Sequence, residues 1–114
     1  MAPIRTAIIG LSSAAATSWA STAHLPALVT PAGQSKFQIP NRRAAQQLRD
    51  LAADPAVDLV ICSTRVDRHH ETVLPSVRAG KDVYVEWPVA ATDADIRSLA
   101  DEARRSSSTA LVGL

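Results

Sequence analysis

Hydrophobic residues along the chain form short apolar runs that alternate with segments of helical spacing. The runs predict strands at residues 4–9, 36–39, 57–62, 82–86 and 109–112. The third run is nearly continuous and rich in β-branched side chains, which is typical of a strand buried on both faces. Pro40 ends the second run early, because proline cannot donate a ladder hydrogen bond.

The segments between the runs predict helices. An Ala-rich helix follows Gly10 and ends near residues 26–28, a turn occupies residues 30–33, and further helices are expected at residues 42–52, 67–78 and 93–105. Asn41 and Thr92 are suitable N-caps, and Gly80 is a suitable C-cap. Because strands and helices alternate throughout, we predict an α/β fold with a doubly wound parallel sheet of about five strands.

Length and composition support one small α/β domain. The chain has 114 residues, which suffice for a hydrophobic core but leave little room for a separate substrate domain. Hydrophobic residues make up 46% of the chain and aromatic residues only 4%. The core is therefore expected to consist of Ala, Val, Leu and Ile, as in a parallel sheet covered by helices.

The formal net charge is +1, but the charges are unevenly distributed. No acidic residue precedes Asp50, so the first part of the chain carries five bases and the remainder carries seven bases and eleven acids. Scattered bases without interleaved aromatic residues favour a solvated surface over a direct nucleic-acid interface.

The single cysteine, Cys62, excludes an internal disulfide framework and fits a reducing compartment. Its place at the end of an apolar run predicts a small buried hydrophobic residue. The N-terminus lacks the basic start and apolar core of a signal peptide, and no apolar run approaches the ~20 residues that span a membrane. These features predict a soluble cytoplasmic protein that is neither secreted nor membrane-bound.

The turn after the first strand is a candidate binding site. A strand that ends at Gly10 and enters a helix through small residues leaves unpaired N–H groups that favour a pyrophosphate. Gly10, Ser12 and Ala15 occupy the three slots of the dinucleotide-binding pattern G-x-G-x-x-G. With one glycine of three, these residues fit an ordinary strand–turn–helix opening without a ligand equally well.

Several short motifs occur along the chain. They lie at residues 10–12, 19–20, 24–28, 57–60, 79–83 and 85–88, together with the pair of residues 64 and 69. In their order they resemble the N-terminal NAD(P)-binding domain of the Gfo/Idh/MocA oxidoreductase family, and they are most similar to its fungal branch that includes the galactose-pathway repressor. The resemblance covers nearly all of residues 4–114 and implies a Rossmann-like fold that binds NAD or NADP.

The resemblance also implies which residues contact the cofactor. They are Gly10, Leu11, Ser12, Ser13, Ala15, Trp19, Ser63, Thr64, His69, Glu86, Trp87 and Pro88. His69 and Glu86 are the catalytic candidates, although a helix-start histidine and a strand-end glutamate are equally suited to structural hydrogen bonds. His70 is expected to be exposed, and no metal site is predicted.

Trp87 departs from the family pattern in a way that leaves the function open. Enzymes of the family have a catalytic lysine at this position, between the equivalents of Glu86 and Pro88. The indole of Trp87 cannot transfer a proton as an amine can. The galactose-pathway repressor also has tryptophan here. The chain is thus either the cofactor domain of an oxidoreductase or a non-catalytic dinucleotide-binding regulator with a protein partner and a nuclear-cytoplasmic location.

The middle of the family domain is missing. After Ile39, where the family has a ribose-reading residue, a helix and a third strand, the chain continues directly with residues 40–43. An internal deletion and the absence of the C-terminal substrate and oligomerisation domain are therefore expected, so that residues 1–114 form a single truncated domain. A non-functional gene product is a third interpretation. Arg42 and Arg43 carry charges that would favour the 2′-phosphate of NADP.

Overall fold

The computed structural model describes residues 3–9, 30–34, 37–38 and 48–113. The strands in this part of the chain are β1 (Ile4–Ile9), β2 (Phe37–Gln38), β3 (Leu59–Cys62), β4 (Asp82–Glu86) and β5 (Ala110–Gly113). The helices are α1 (Pro31–Gln34), α2 (Leu48–Ala53), α3 (His69–Arg78) and α4 (Asp93–Arg105), and a 3-10 turn at Val66–Arg68 leads into α3.

All neighbouring strands pair in parallel, in the spatial order β2-β1-β3-β4-β5. The chain moves from β1 to β2 on one side and then returns to place β3 on the other side of β1. The direction of winding therefore reverses between β1 and β3. This topology confirms the predicted doubly wound, Rossmann-like α/β fold. The described strands fall within the predicted runs, except that β5 extends one residue further, to Gly113.

Among the described residues, one cluster of buried side chains lies between the sheet and the helices that follow β3 and β4. Val60, Val73, Val77 and Val83 are each at most 1% exposed, and all belong to one buried cluster. The cluster is aliphatic, as the composition predicted, because β-branched side chains pack well on a pleated surface.

The predicted caps of α3 and α4 are confirmed. The Thr92 hydroxyl accepts the N–H of Asp95 at 3.1 Å at the start of α4. At the end of α3, Gly80 has φ +81°, and the N–H of Lys81 donates to Ser76 O at 3.0 Å. This is a Schellman ending, in which the left-handed conformation favours glycine.

Two local predictions differ from the structure, and a third is only partly described. The prediction of a turn at residues 30–33 was wrong, because Pro31–Gln34 forms one turn of helix. Thr30 Oγ1 caps this helix by accepting the N–H of Gly33 at 3.1 Å. His70 was expected to be exposed but is half-buried, and its Nε2 lies 2.9 Å from Ser98 Oγ on α4. The helix predicted from residue 42 is described only from Leu48, so its Asn41 cap lies outside the described residues.

At the amino edge of the sheet, Arg5 of β1 pairs with Asp58 just before β3. The guanidinium Nε and Nη2 atoms donate to the two carboxylate oxygens at 3.0 and 2.9 Å, and the Arg5 N–H donates to Oδ2 at 3.0 Å. The side-chain and backbone hydrogen bonds from Arg5 lower the pKa of Asp58 from its ordinary value of 3.8.

Asp58→Asn is expected to destabilise the chain near pH 7 and to have a smaller effect in acid. A carboxylate whose pKa is depressed on folding contributes stability above its unfolded pKa, and this is lost as the pH falls through the folded pKa. Urea midpoints of the wild-type and variant chains at pH 7, 4 and 2.5 measure the difference. Asp101→Asn, at an exposed carboxylate on α4, is the control. A difference between the Asp58 variant and wild type that is constant across this range would contradict the prediction.

No helix among the described residues is long and apolar enough to cross a membrane. The longest described helix, α4, has 13 residues.

Candidate functional site

The carboxyl ends of β1 and β3 meet where the winding reverses. The N–H of Ser63 donates to Ile9 O at 2.9 Å, which continues the β1–β3 pairing beyond the last strand residue. Since Cys62 is in register with Val85 of β4, the segments that follow β1, β3 and β4 emerge at one edge. This edge at a reversal of strand order is where open α/β sheets bind ligands.

The segment after β3 presents Ser63 and Thr64 at this edge. Ser63 is buried and Thr64 is half-buried. Thr64 Oγ1 lies 3.5 Å from the Cys62 Sγ and 3.4 Å from Arg65 O. Burial raises the pKa of the Cys62 thiol, and the side chain is completely buried. Cys62 is therefore a small hydrophobic residue, as predicted, and not a thiolate nucleophile.

The segment after β4 presents an indole at the same edge. Glu86 is half-buried and pairs with Gly113 in the β4–β5 ladder. The N–H of Trp87 donates to Gly113 O at 2.8 Å, and the bond between Trp87 and Pro88 is cis. The Trp87 residue is 65% exposed, more than any other large hydrophobic residue in the described ranges. A ligand at this edge can reach its ring.

His69 lies at the start of α3 and connects the segments after β3 and β4. It is only 2% exposed. Its Nε2 lies 3.0 Å from Thr64 O, and its Nδ1 lies 2.9 Å from Pro88 O and 3.2 Å from Val89 O. Both ring nitrogens thus face main-chain carbonyl oxygens, so neither is directed toward a ligand.

The structure brings half of the sequence-predicted site together. Ser63, Thr64, His69, Glu86, Trp87 and Pro88 all lie after the carboxyl ends of β3 and β4 or beside them. Their contact with a cofactor remains a prediction. Gly10, Leu11, Ser12, Ser13, Ala15 and Trp19 lie outside the described residues, as do Arg42 and Arg43.

Two backbone groups of this edge were not foreseen from the sequence. The carbonyl oxygens of Val89 and Gly113 anchor His69 and Trp87, respectively. Since every residue has a carbonyl group, no side-chain motif could have indicated these two positions.

A second concavity, between α4 and the sheet, does not have the chemistry of a dinucleotide site. It is a half-open groove of about 230 Å³ whose lining includes Val73, Val85, Leu99, Ala110 and Val112. All of its lining residues are Val, Leu, Ile or Ala, so no side chain there could bind a pyrophosphate. Among the described residues there is also no cluster of three or more His, Cys, Asp or Glu that could hold a metal ion.

Comparisons with known proteins agree with this fold. Residues 4–114 match the model of an oxidoreductase family described as having an NAD-binding Rossmann fold, Gfo/Idh/MocA. Dehydrogenase aclE of Aspergillus oryzae is 43% identical over 76 residues, which are 67% of this chain and 21% of that protein. The NADP(+)-dependent scyllo-inositol 2-dehydrogenase IolW of Bacillus subtilis is 35% identical over 57 residues, which are 50% of this chain and 16% of that protein.

A solved structure of a super-repressor mutant of Gal80p from Saccharomyces cerevisiae is similar across almost the whole chain. The TM-score is 0.82 at 25% identity, and the match covers 97% of this chain and 34% of that one. The chain therefore spans about a fifth of the curated dehydrogenase and about a third of the solved repressor structure. From the family match over residues 4–114, the chain belongs to the Gfo/Idh/MocA oxidoreductase family, of which it represents the NAD-binding Rossmann domain.

Proposed function

We propose that this chain binds NAD or NADP in the crevice at the carboxyl edge of the sheet. The observation that carries the proposal is the reversal of strand order between β1 and β3, where the Ser63 N–H donates to Ile9 O at 2.9 Å. Polar residues and an exposed indole lie along the same edge, and the family match supports a dinucleotide as the ligand.

The proposed roles follow the order of the strands. The turn at Gly10, Ser12 and Ala15 is proposed to hold the pyrophosphate through backbone N–H groups. Thr64 lines the groove beyond β3, and Trp87 lies beyond β4, on the side away from β2. When bound, the nicotinamide would supply hydride chemistry. This chain's own residues would bind and orient it.

The described residues at the β4 end offer no lysine for proton transfer, and the half-buried Glu86 is the remaining candidate acid or base there. Trp87 occupies the position of the family's lysine, and an indole is not a general acid or base at neutral pH. His69 is buried, with both nitrogens facing carbonyl oxygens. We therefore propose cofactor binding as the activity of this chain. Dehydrogenase activity, which the names of several relatives state, is proposed only together with a substrate domain.

A second candidate function is a non-catalytic regulator that binds a dinucleotide and a protein partner in the cytoplasm or nucleus. It is favoured by Trp87 in the lysine slot and by the similarity to the Gal80p mutant. Changing the corresponding tryptophan to lysine in a full-length relative discriminates the two functions. If the lysine variant still has no dehydrogenase activity, the regulator is favoured. Dehydrogenase activity in the unmodified relative, which keeps tryptophan, contradicts the regulator.

Calorimetric titration of the purified chain with NADH and, separately, NADPH tests the proposed binding. Saturable heat with one molecule per chain is the expected result. A preference for NADPH that disappears in the double variant Arg42→Ala, Arg43→Ala would assign the 2′-phosphate to these bases. A chain that is folded by circular dichroism but gives no heat with either nucleotide would overturn the proposal.

A further inference from the structure

We propose that His69 is a positioning residue that holds the 87–89 segment (Trp87, Pro88 and Val89) in place for the nicotinamide half of the ligand. This inference rests on the proposed function. It assigns to His69 no contact with the cofactor, in contrast to the role that the family resemblance implies.

The position of the ring excludes a direct role and indicates an indirect one. His69 is 2% exposed, and its nitrogens lie 2.9 to 3.2 Å from the carbonyl oxygens of Thr64, Pro88 and Val89. Carbonyl oxygens only accept hydrogen bonds, so the neutral ring donates only from the nitrogen that carries its N–H. The proposal places this hydrogen on Nδ1, which faces two oxygens, those of Pro88 and Val89. These two residues are 19 and 20 positions from His69 in the sequence, whereas Thr64 is 5 positions away.

The 87–89 segment is held at both ends. The N–H of Trp87 donates to Gly113 O at 2.8 Å, while the oxygens of Pro88 and Val89 face the Nδ1 of His69. Between these anchors the indole is left 65% exposed. The exposed ring thus depends for its position on two backbone anchors, and His69 supplies one of them.

The location of the segment predicts which half of the ligand depends on it. In a doubly wound sheet the pyrophosphate lies at the end of the first strand, and the adenosine ribose is read at the end of the second. In this chain β2 is on one side of β1, while β3 and β4 are on the other. The 87–89 segment follows β4, so loosening it should weaken contacts to the nicotinamide half and spare the adenosine half.

Two amide-containing variants of His69 separate the two sides of its ring, and a variant of His70 is the control. His69→Asn places an amide near the position of Nδ1 and can donate to the Pro88 and Val89 oxygens. His69→Gln places its amide near the position of Nε2 and can donate only toward Thr64. His70→Gln, at the next residue of α3, removes the imidazole that bonds to Ser98 and is the control.

The probes are NADH and ADP-ribose, which lacks the nicotinamide. His69→Gln is expected to raise the Kd of NADH about fivefold, as the loss of roughly one hydrogen bond would, and to change the Kd of ADP-ribose less than about twofold. His69→Asn and His70→Gln should keep both constants within about twofold of wild type. An NADH Kd that is unchanged in His69→Gln, or a rise shared equally with ADP-ribose, would overturn the positioning role.

Hydrogen exchange without any ligand tests the same inference separately. The amide of Trp87 should exchange faster in His69→Gln than in wild type, and at the wild-type rate in His69→Asn. Equal exchange rates of the Trp87 amide in the two His69 variants would overturn the inference. So would a His69→Gln chain that does not fold when the His69→Asn chain does. Wild-type protein that is folded and binds neither probe would overturn the proposed function instead, and the exchange result would still decide the role of His69.

Discussion

Replacing Val60 with aspartate is expected to unfold the chain at 25 °C. Val60 has no exposed surface and lies in β3, the middle strand of the sheet. A carboxylate there would be buried without a partner, which costs about 4 kcal/mol or more. Small domains lie toward the lower end of the about 5–15 kcal/mol typical of folded proteins, so in a chain of this length the change removes most or all of the free energy of unfolding.

Urea unfolding followed by circular dichroism measures this effect. Val112→Asp is the matched control, because Val112 lies on the same face of the sheet but is 46% exposed. It should cost about 1 kcal/mol, since only about half of this residue is removed from water in the folded chain. A Val60→Asp chain with a midpoint near that of wild type would show that β3 is not at the centre of the core.

The second large effect is expected at Gly113, where even a methyl group should destabilise the sheet. A Cβ atom at this position would overlap the Tyr84 hydroxyl and lie 2.6 Å from Tyr84 Cζ. Carbon atoms pack favourably at about 3.5–4.0 Å, so the phenol ring would have to move. The atoms that must move are the far end of a half-buried side chain, so the cost is expected near the lower end of the about 1–3 kcal/mol typical of overpacking. Gly113 does not have a positive φ, so the cost comes from the ring and not from the backbone.

A double-mutant cycle isolates this contact. Gly113→Ala is measured in the wild-type chain and in a Tyr84→Val chain, in which the β-branched side chain keeps the strand preference. The cost of Gly113→Ala should fall to less than about 0.5 kcal/mol once the phenol ring is gone. An equal cost in both chains would show that Gly113 is required for another reason.

The order and type of the described elements follow from local physical chemistry and were predictable. The run at residues 57–62 is apolar because β3 is buried on both faces of the sheet. Thr92 and Gly80 mark helix ends because their side chain and backbone, respectively, satisfy groups that a helix leaves unpaired. These effects act within a few residues, so the sequence pattern contains them.

The contacts that define the candidate site act over longer separations. His69 reaches Pro88 across 19 residues, and His70 reaches Ser98 across 28. The sequence placed both histidines on one helix, but it could not indicate which carbonyl or hydroxyl group faces each ring. The close approach of the Tyr84 ring to Gly113 could not be predicted for the same reason, because it depends on the register between β4 and β5.

Amide chemical-shift mapping of the chain during titration with NADH locates the ligand on the fold. Saturable shifts are expected for Ser63, Thr64 and Trp87, at the carboxyl edge of the sheet. Little change is expected for Asp54 and Lys81, which are joined at the opposite edge by the bond from Lys81 Nζ to Asp54 O. Shifts confined to that opposite edge or to the apolar groove beneath α4 would contradict a dinucleotide site where the winding reverses.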